Sequence, residues 1–399
     1  MGVPKDMANR PTVLCVQSTH KMLPAFSMAS YIHVSNSERG KMAWSPIKEA
    51  FMMHGTTSPF YPLIASLDIA SAMMDEPTGP VLLEETIRYA IDFRKAVASA
   101  AHRYKKHDDW FFTLFQPDKV RVGNKSVDFH KVATDTLSID PACWTLRADE
   151  TWHGLPDDVV ANDFAMLDPT KVTILCPGTD AQGKIAKRGI PGAILTKFLG
   201  ARRQAIARTG DYTVLILFSV GTTQGKSGTL LETLLAFKRL YDRNASIEEA
   251  LPELARAYPD RYGKMTLRAL CDEMHQSMTE LDLQAMANHA GEVISEQVLT
   301  PSDAYQHLIH GRTEEVRIRD LPGRVAALMI VPYPPGIPVL MPGERVDPAG
   351  GTIVNFLEAV EAFGKRFPGF GREVQNIHPD ANGDLWATVV AEAALAADR

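Results

Sequence analysis

The chain has 399 residues, 45% of them hydrophobic and 23% charged, and 42 Lys plus Arg against 48 Asp plus Glu leave a net charge of −6. This is the balance of a globular protein of two or three domains; it excludes a disordered chain, a collagen and a small disulfide scaffold. The mildly acidic field also gives nonspecific nucleic-acid binding no electrostatic footprint.

The four cysteines, Cys15, Cys143, Cys176 and Cys271, form no CxxC pair and no Cys/His cluster at metal spacing. Reduced thiols in a cytoplasmic protein without a metal are the expectation. No stretch reaches the roughly 18 apolar residues of a membrane span. Met1 to Arg10 lacks the apolar core of a signal peptide, so neither membrane nor secretion is expected.

Thr12–Val16 is short, apolar and β-branched, and reads as a buried strand. Ala29–Val34 reads as a second strand. Pro59 is expected to open a helix whose apolar positions Phe60, Leu63, Ile64, Leu67, Ala70 and Met74 recur at three and four. A longer helix is expected over Glu84–Lys106. Asp75–Pro80, with Pro77 and Gly79, is a candidate boundary between the two.

Further along, Ala142–Leu146, Lys171–Cys176 and Tyr212–Val220 read as strands. Pro191–Arg202 and Leu230–Arg243 read as helices. The Ser246, Glu248 and Glu249 cluster signals another helix start, and helical stretches follow near Ile247–Ala257 and Met265–Leu281. Val331–Gly343 carries five prolines in thirteen residues, so a turn-rich loop is expected, with room for a cis X–Pro bond. The mixture suggests an α/β unit packed against an α+β one.

Two segments invite chemistry. Gly221 to Ser227, after an apolar strand and before a helix, looks superficially like a phosphate-binding loop. It has three residues where that loop needs four before Gly-Lys, so a Gly-flanked helix start is the better reading. The second segment is Gln17-Ser18-Thr19-His20-Lys21. A lysine just past a strand, flanked by hydroxyls and an imidazole, suits a pyridoxal phosphate (PLP) enzyme, whose lysine amine forms a Schiff base with the cofactor aldehyde. The hydroxyls of Ser18 and Thr19 can bond a phosphate. A lysine in an exposed polar loop is the competing reading.

Several longer segments carry a resemblance. QSTHKMLPAFSMASYIHV around Lys21, HGTTSPFYPLIASLDIASAMMD at His54–Asp75 and WHGLPDDVVANDFAMLDPTKVTILCPG at Trp152–Gly178 stand in order. LPGRVAALMIVPYPPGIPVLMPGE at Leu321–Glu344 and FPGFGREV at Phe367–Val374 follow. Together they resemble the bacterial ornithine/lysine/arginine decarboxylases, PLP enzymes of fold type I, along nearly the whole chain. The resemblance implies an α/β, aspartate aminotransferase-like large-domain remnant at 1–76. A small α+β subdomain at 77–244 and a C-terminal α+β decarboxylase domain at 245–399 would follow.

By the same resemblance Lys21 would hold PLP, Ser18 and His20 would contact its phosphate, and Thr19 would be a weaker candidate. Lys21 or His20 would return a proton to Cα after CO2 leaves. Thr57 and Ser58 would lie near the phosphate, reaching across a dimer interface; capping a helix at Pro59 is the alternative. Glu314 or Glu315 would face the cationic end of a basic amino acid, or be a solvated acidic pair. Trp152 and His153 are assigned to packing.

Gly221–Leu230 resembles the arginine branch, so arginine, giving agmatine, is expected ahead of lysine or ornithine, in a role in polyamine supply or acid tolerance. The family places its cofactor lysine late in the large domain, whereas here it is residue 21. The expectation is therefore a chain lacking N-terminal parts and impaired alone, forming a homodimer or higher oligomer. A noncatalytic or split-enzyme subunit that pairs with an N-terminal partner chain is the alternative. An aminotransferase on the same fold is the runner-up chemistry, and an unrelated nucleotide-binding protein a remote third.

Overall fold

The structure, a computed structural model, describes residues 10–161, 165–179, 183–333 and 336–397. Met1 to Asn9, residues 162–164 of the Trp152–Gly178 segment and Pro334 and Pro335 of the proline-rich passage lie outside the described residues.

The first strand, β1 (Val13–Gln17), pairs antiparallel with β2 (Tyr31–Ser35), setting Val13 opposite Ser35 and Gln17 opposite Tyr31. They form a two-stranded sheet by themselves. The strand expected at Thr12–Val16 is therefore present, but its expected burial is not: Leu14 is 52% and Val16 67% exposed. A ribbon of two strands buries a face only when another layer packs on it; the helix Tyr61–Met74 touches the second strand, where the Tyr31 hydroxyl donates to the Leu67 carbonyl at 2.9 Å, but leaves β1 open. Helix α1 (Trp44–His54) was not anticipated and buries none of its residues. Helix α2 (Tyr61–Met74) starts two residues later than expected because Pro62, not Pro59, occupies its first turn.

Helix α3 (Thr78–Lys105) runs for 28 residues, taking in much of the stretch read as a boundary. The cis bond among the described residues is Glu76–Pro77 rather than one in the proline-rich passage. The buried positions Ala90, Phe93 and Val97 of α3 pack on an antiparallel four-stranded sheet. Its strand order is Thr113–Leu114, Lys171–Leu175, Thr213–Leu217 and Arg208–Thr209. Val172 and Ile174 are buried, as are Val214 and Ile216 on the neighbouring strand. This is the period-two pattern of a sheet with one face in the core.

The helices Gly192–Gly200, Gln224–Asp242 and Leu267–Glu280 complete that core. The Thr223 hydroxyl caps the second and the Thr266 hydroxyl the third. The stretch read as one helix over Ile247–Ala257 is broken at Leu251 because Pro252 starts a new first turn. The strand expected at Ala142–Leu146 is reduced to a single antiparallel bridge, Thr145 to Met166, after a short 3-10 turn, Pro141–Cys143. The Asp140 carboxylate accepts the Ala142 N–H there, which bends the chain and delays the pairing to Thr145.

The C-terminal part holds the antiparallel strands Thr313–Arg317, Leu385–Val390 and Ile377–Pro379 with the helix Gly351–Arg366. The passage expected to be a turn-rich loop opens with a strand, Val331–Tyr333, paired to Glu373–Gln375. A proline is tolerated there because each strand has only one partner. The largest core runs across residue 244, joining Leu195, Phe237 and Cys271 to Phe363, Phe367 and Phe370. Among the described residues no helix is long and apolar enough to cross a membrane.

Candidate active site

The turn after β1 is a 3-10 turn over Thr19–Lys21, with Ser18 at its N-cap position. The Ser18 carbonyl accepts the Lys21 N–H at 3.2 Å, and the Thr19 carbonyl accepts the Leu23 N–H at 2.9 Å. Ser18, His20 and Lys21 therefore share one tight bend. His20 is oriented from outside it: Nδ1 donates to the Ala29 carbonyl at 2.9 Å. That bond leaves Nε2 as the ring nitrogen available to a ligand. Thr19 is buried, whereas Ser18 and Lys21 are exposed.

An amine that forms a Schiff base must shed its proton, which desolvation or nearby cations favour. Lys21 is exposed and has no dry surroundings among the described residues. Apolar side chains nearby are uncovered as well, with Phe26 61% exposed.

Thr57 and Ser58 are exposed in the loop between α1 and α2, and the Thr56 hydroxyl accepts the Ser58 N–H at 3.1 Å. They do not cap the helix they precede, since Phe60 is its N-cap residue. Both hydroxyls are accordingly free of that structural duty.

Glu314 and Glu315 stand on adjacent positions of the C-terminal strand Thr313–Arg317, so they point to opposite faces of its sheet. Each has a partner in its own domain. Glu314 pairs with Arg324, and Glu315 accepts from the Thr388 hydroxyl at 2.6 Å, with His378 Nε2 3.6 Å away.

Trp152 and His153 pack, as expected. Trp152 lies against Phe115 with centroids 5.3 Å apart, and its indole N–H donates to Glu150 at 2.9 Å. The buried His153 donates from Nε2 to the Arg147 carbonyl at 2.9 Å and accepts the Leu155 N–H on Nδ1 at 3.0 Å. With both ring nitrogens engaged, it has none for catalysis. The Gly221–Ser227 segment is the helix start expected of it: Lys226 Nζ folds back onto the Gly221 carbonyl at 2.8 Å.

Sequence reasoning missed three buried polar centres. The Arg94 guanidinium, wholly buried, donates to the carbonyls of Pro169 and Lys171, each at 2.9 Å, and to that of Phe115 at 3.2 Å. Burial pulls its pKa down, to about 9. Lys238 is buried between the carboxylates of Asp109 and Asp242, at 2.8 and 2.6 Å, and under the Trp110 and Tyr104 rings. The Tyr212 hydroxyl donates to His275 Nδ1 at 2.6 Å, while His275 Nε2 donates to the Ala186 carbonyl at 2.9 Å. Burial raises the Tyr212 pKa, so it stays a neutral donor. The signal that could have found them is a charge or imidazole on the apolar face of a helix, as with Lys238 among Leu234, Phe237 and Tyr241.

The model of the Orn/Lys/Arg decarboxylase major domain matches residues 1–226, and that of the Orn/Lys/Arg decarboxylase C-terminal domain matches residues 283–391. The chain belongs to the Orn/Lys/Arg decarboxylase family, whose members are lyases.

Lysine decarboxylase LdcA of Pseudomonas aeruginosa is 43% identical over 95% of this chain and 48% of its own length. Biodegradative arginine decarboxylase of Escherichia coli is 39% identical over 94% of this chain and 49% of its own. The solved structure of lysine decarboxylase A from Pseudomonas aeruginosa matches with a TM-score of 0.85 and 40% identity, over 96% of this chain and 49% of that one. That of E. coli constitutive lysine decarboxylase matches with a TM-score of 0.80 and 37% identity, over 95% and 50%. The fold is thus the mixed α/β fold of these enzymes, and the chain spans about half the length of the curated relatives it matches. The lean toward arginine is not supported, since the lysine enzyme LdcA shares more identity, 43% against 39%.

Proposed function

We propose that this chain carries the cofactor lysine of a decarboxylase for basic amino acids, with lysine the first substrate to test, then arginine and ornithine. The observation that carries the reading is the bend after β1. It sets Ser18, His20 and Lys21 in one tight turn, with His20 Nδ1 engaged and Nε2 open, in a member of this family.

Those groups fit PLP: Lys21 would bind it covalently and Ser18 and His20 would hold its phosphate, with Thr57 and Ser58 adding hydroxyls. The buried Thr19 would serve the turn. When bound, PLP supplies the electron sink that lets the carboxylate depart as CO2. Lys21, or His20 held by Ala29, would deliver a proton to Cα. Each turnover on lysine would take up one proton and leave a diamine, which suits acid tolerance or polyamine supply. Glu314 and Glu315 would have to exchange their present partners to receive a substrate ammonium.

The aminotransferase-like division at 1–76, 77–244 and 245–399 belongs to the same proposal, as does a cytoplasmic location. The exposed apolar side chains of β1, α1 and α2 favour a cover from a second copy or from further polypeptide. They also favour the second reading, a subunit that works only when paired with a partner chain.

The test uses the full chain with added PLP. Reading cofactor absorbance and CO2 release from lysine, arginine and ornithine, we expect lysine to be turned over fastest. Lys21→Ala should abolish the lysine-bound cofactor band and lower turnover by roughly a thousandfold. A band unchanged in Lys21→Ala would sink the assignment. Product as keto acid instead of CO2 would turn it to an aminotransferase. Turnover that appears only with a co-purified chain would select the second reading.

A further inference from the structure

A cleft of about 430 Å³ lies where the two family-matched parts of the chain meet. One wall is the helix Gly192–Gly200 with the edge strand Arg208–Thr209. The other is the ribbon of Val331–Tyr333 and Glu373–Gln375 with the helix Gly351–Arg366. Junctions of this kind, apolar with a few placed polar groups, are where small-ligand sites concentrate. The lining includes Met274, Met278, Phe356 and Phe363, an apolar floor with two adaptable thioethers.

The charges around this floor are unevenly matched. Asp211 and Arg372 pair with each other across the junction, so neither is free for a ligand. Lys197 and Arg208, both from the first wall, have no acidic partner among the described residues. Each instead rests on a ring of the second wall: Lys197 Nζ lies 5.2 Å from the centre of Phe370, and the Arg208 guanidinium 5.6 Å from that of Tyr333. The one remaining lining carboxylate, Glu373, is exposed. Three cations against two carboxylates leave the lining one positive charge in excess. A monoanion balances that excess, whereas a dianion overshoots it.

We infer that the cleft binds a small carboxylate with an apolar, aromatic body. The ring would sit on the methionine and phenylalanine floor and the carboxylate between Lys197 and Arg208. The cation–ring contacts hold both cations in place before the ligand arrives, which lowers the ordering cost of binding. Because the walls come from different parts of the chain, such a ligand would also tie them together. The inference does not rest on the decarboxylase reading, and its test involves no turnover.

The probe is 4-phenylbutyrate, titrated into the full chain carrying carbon-13 methionine methyl groups. Saturable shifts are expected at Met274 and Met278, with a dissociation constant of about 1 mM or lower. The neutral amide, 4-phenylbutyramide, should bind about tenfold more weakly, and Lys197→Gln and Arg208→Gln should each weaken the carboxylate about tenfold. No saturable shift at these two methyls up to about 5 mM would overturn the inference. So would equal binding of acid and amide, or unchanged affinity in both variants.

Discussion

Leu14 and Phe237 are both large apolar residues inside regular structure, yet Leu14 is 52% exposed and Phe237 wholly buried. The contrast holds for their surroundings. β1, α1 and α2 leave Val16, Trp44, Phe51, Tyr61 and Ile69 open, whereas the chain from α3 onward buries several apolar clusters, the largest of them reaching across residue 244. The chain from α3 onward holds most of the buried apolar side chains, although Ile139 and Ile294 stand open there; the first region buries few. The residues proposed to hold the cofactor sit in the region that needs cover. Under the proposed function, a cover over this surface would supply the desolvation that a Schiff-base lysine requires.

The sharpest test of this contrast is Phe237→Ala. It should cost about 3–5 kcal/mol of stability in urea unfolding, because a ring is removed from a packed interior that cannot collapse fully around the gap. A milder effect is expected at the buried Lys238. Its hydrogen bond holds the Asp109 carboxyl below the usual carboxylate range. The folded chain then binds fewer protons than the unfolded one near and below pH 4. The stabilisation is full above about pH 4 and is lost as the pH falls through the depressed value.

Asp109→Asn should therefore cost about 1 kcal/mol at pH 7 and flatten the acid limb of the stability curve, as read by unfolding at pH 7 and pH 3. Lys238 works in the other direction. Burial pulls its pKa down, but the bonds to Asp109 and Asp242 more than offset this, so its pKa is raised and its contribution fades only in strong alkali.

The smallest effect is expected from Leu14→Ala, within about 0.5 kcal/mol for the chain alone. A loss there comparable to that of Phe237→Ala would erase the distinction between the two regions. A loss that appears only after a partner or second copy is bound would sharpen it.

The features legible in the sequence are those whose cause lies within a few residues. Ser246 followed by Glu249 marks a helix start, and its hydroxyl does accept the Glu249 N–H. The apolar pattern of Lys171–Cys176 gave a strand one residue too long. The Lys21 bend follows from a β-branched strand running into Ser18-Thr19-His20, and the spread of matching segments carried the family.

Errors came where a local signal was ambiguous. Ala142–Leu146 looks like a strand, but Asp140 and Pro141 turn the chain at its threshold. The proline-rich passage looked like a turn-rich loop, yet Val331–Tyr333 found a single partner more than forty residues away, Gln375 standing opposite Val331.

Burial was only partly legible in the sequence. An apolar strand is the same text whether or not a second layer lies on it, so Thr12–Val16 could not reveal that it stays open. Arg94 reads as one more helix cation, because the carbonyls that receive it belong to Phe115, Pro169 and Lys171, 21, 75 and 77 residues away.

The sequence by itself determined the family, several of the strands and helix starts and the lysine that follows the first strand, because these rest on neighbours along the chain. Only the tertiary structure decided which of the apolar faces are covered, which charges are spent on partners and where two walls leave a cleft. Those are properties of surfaces brought together from distant segments, and no local pattern encodes them.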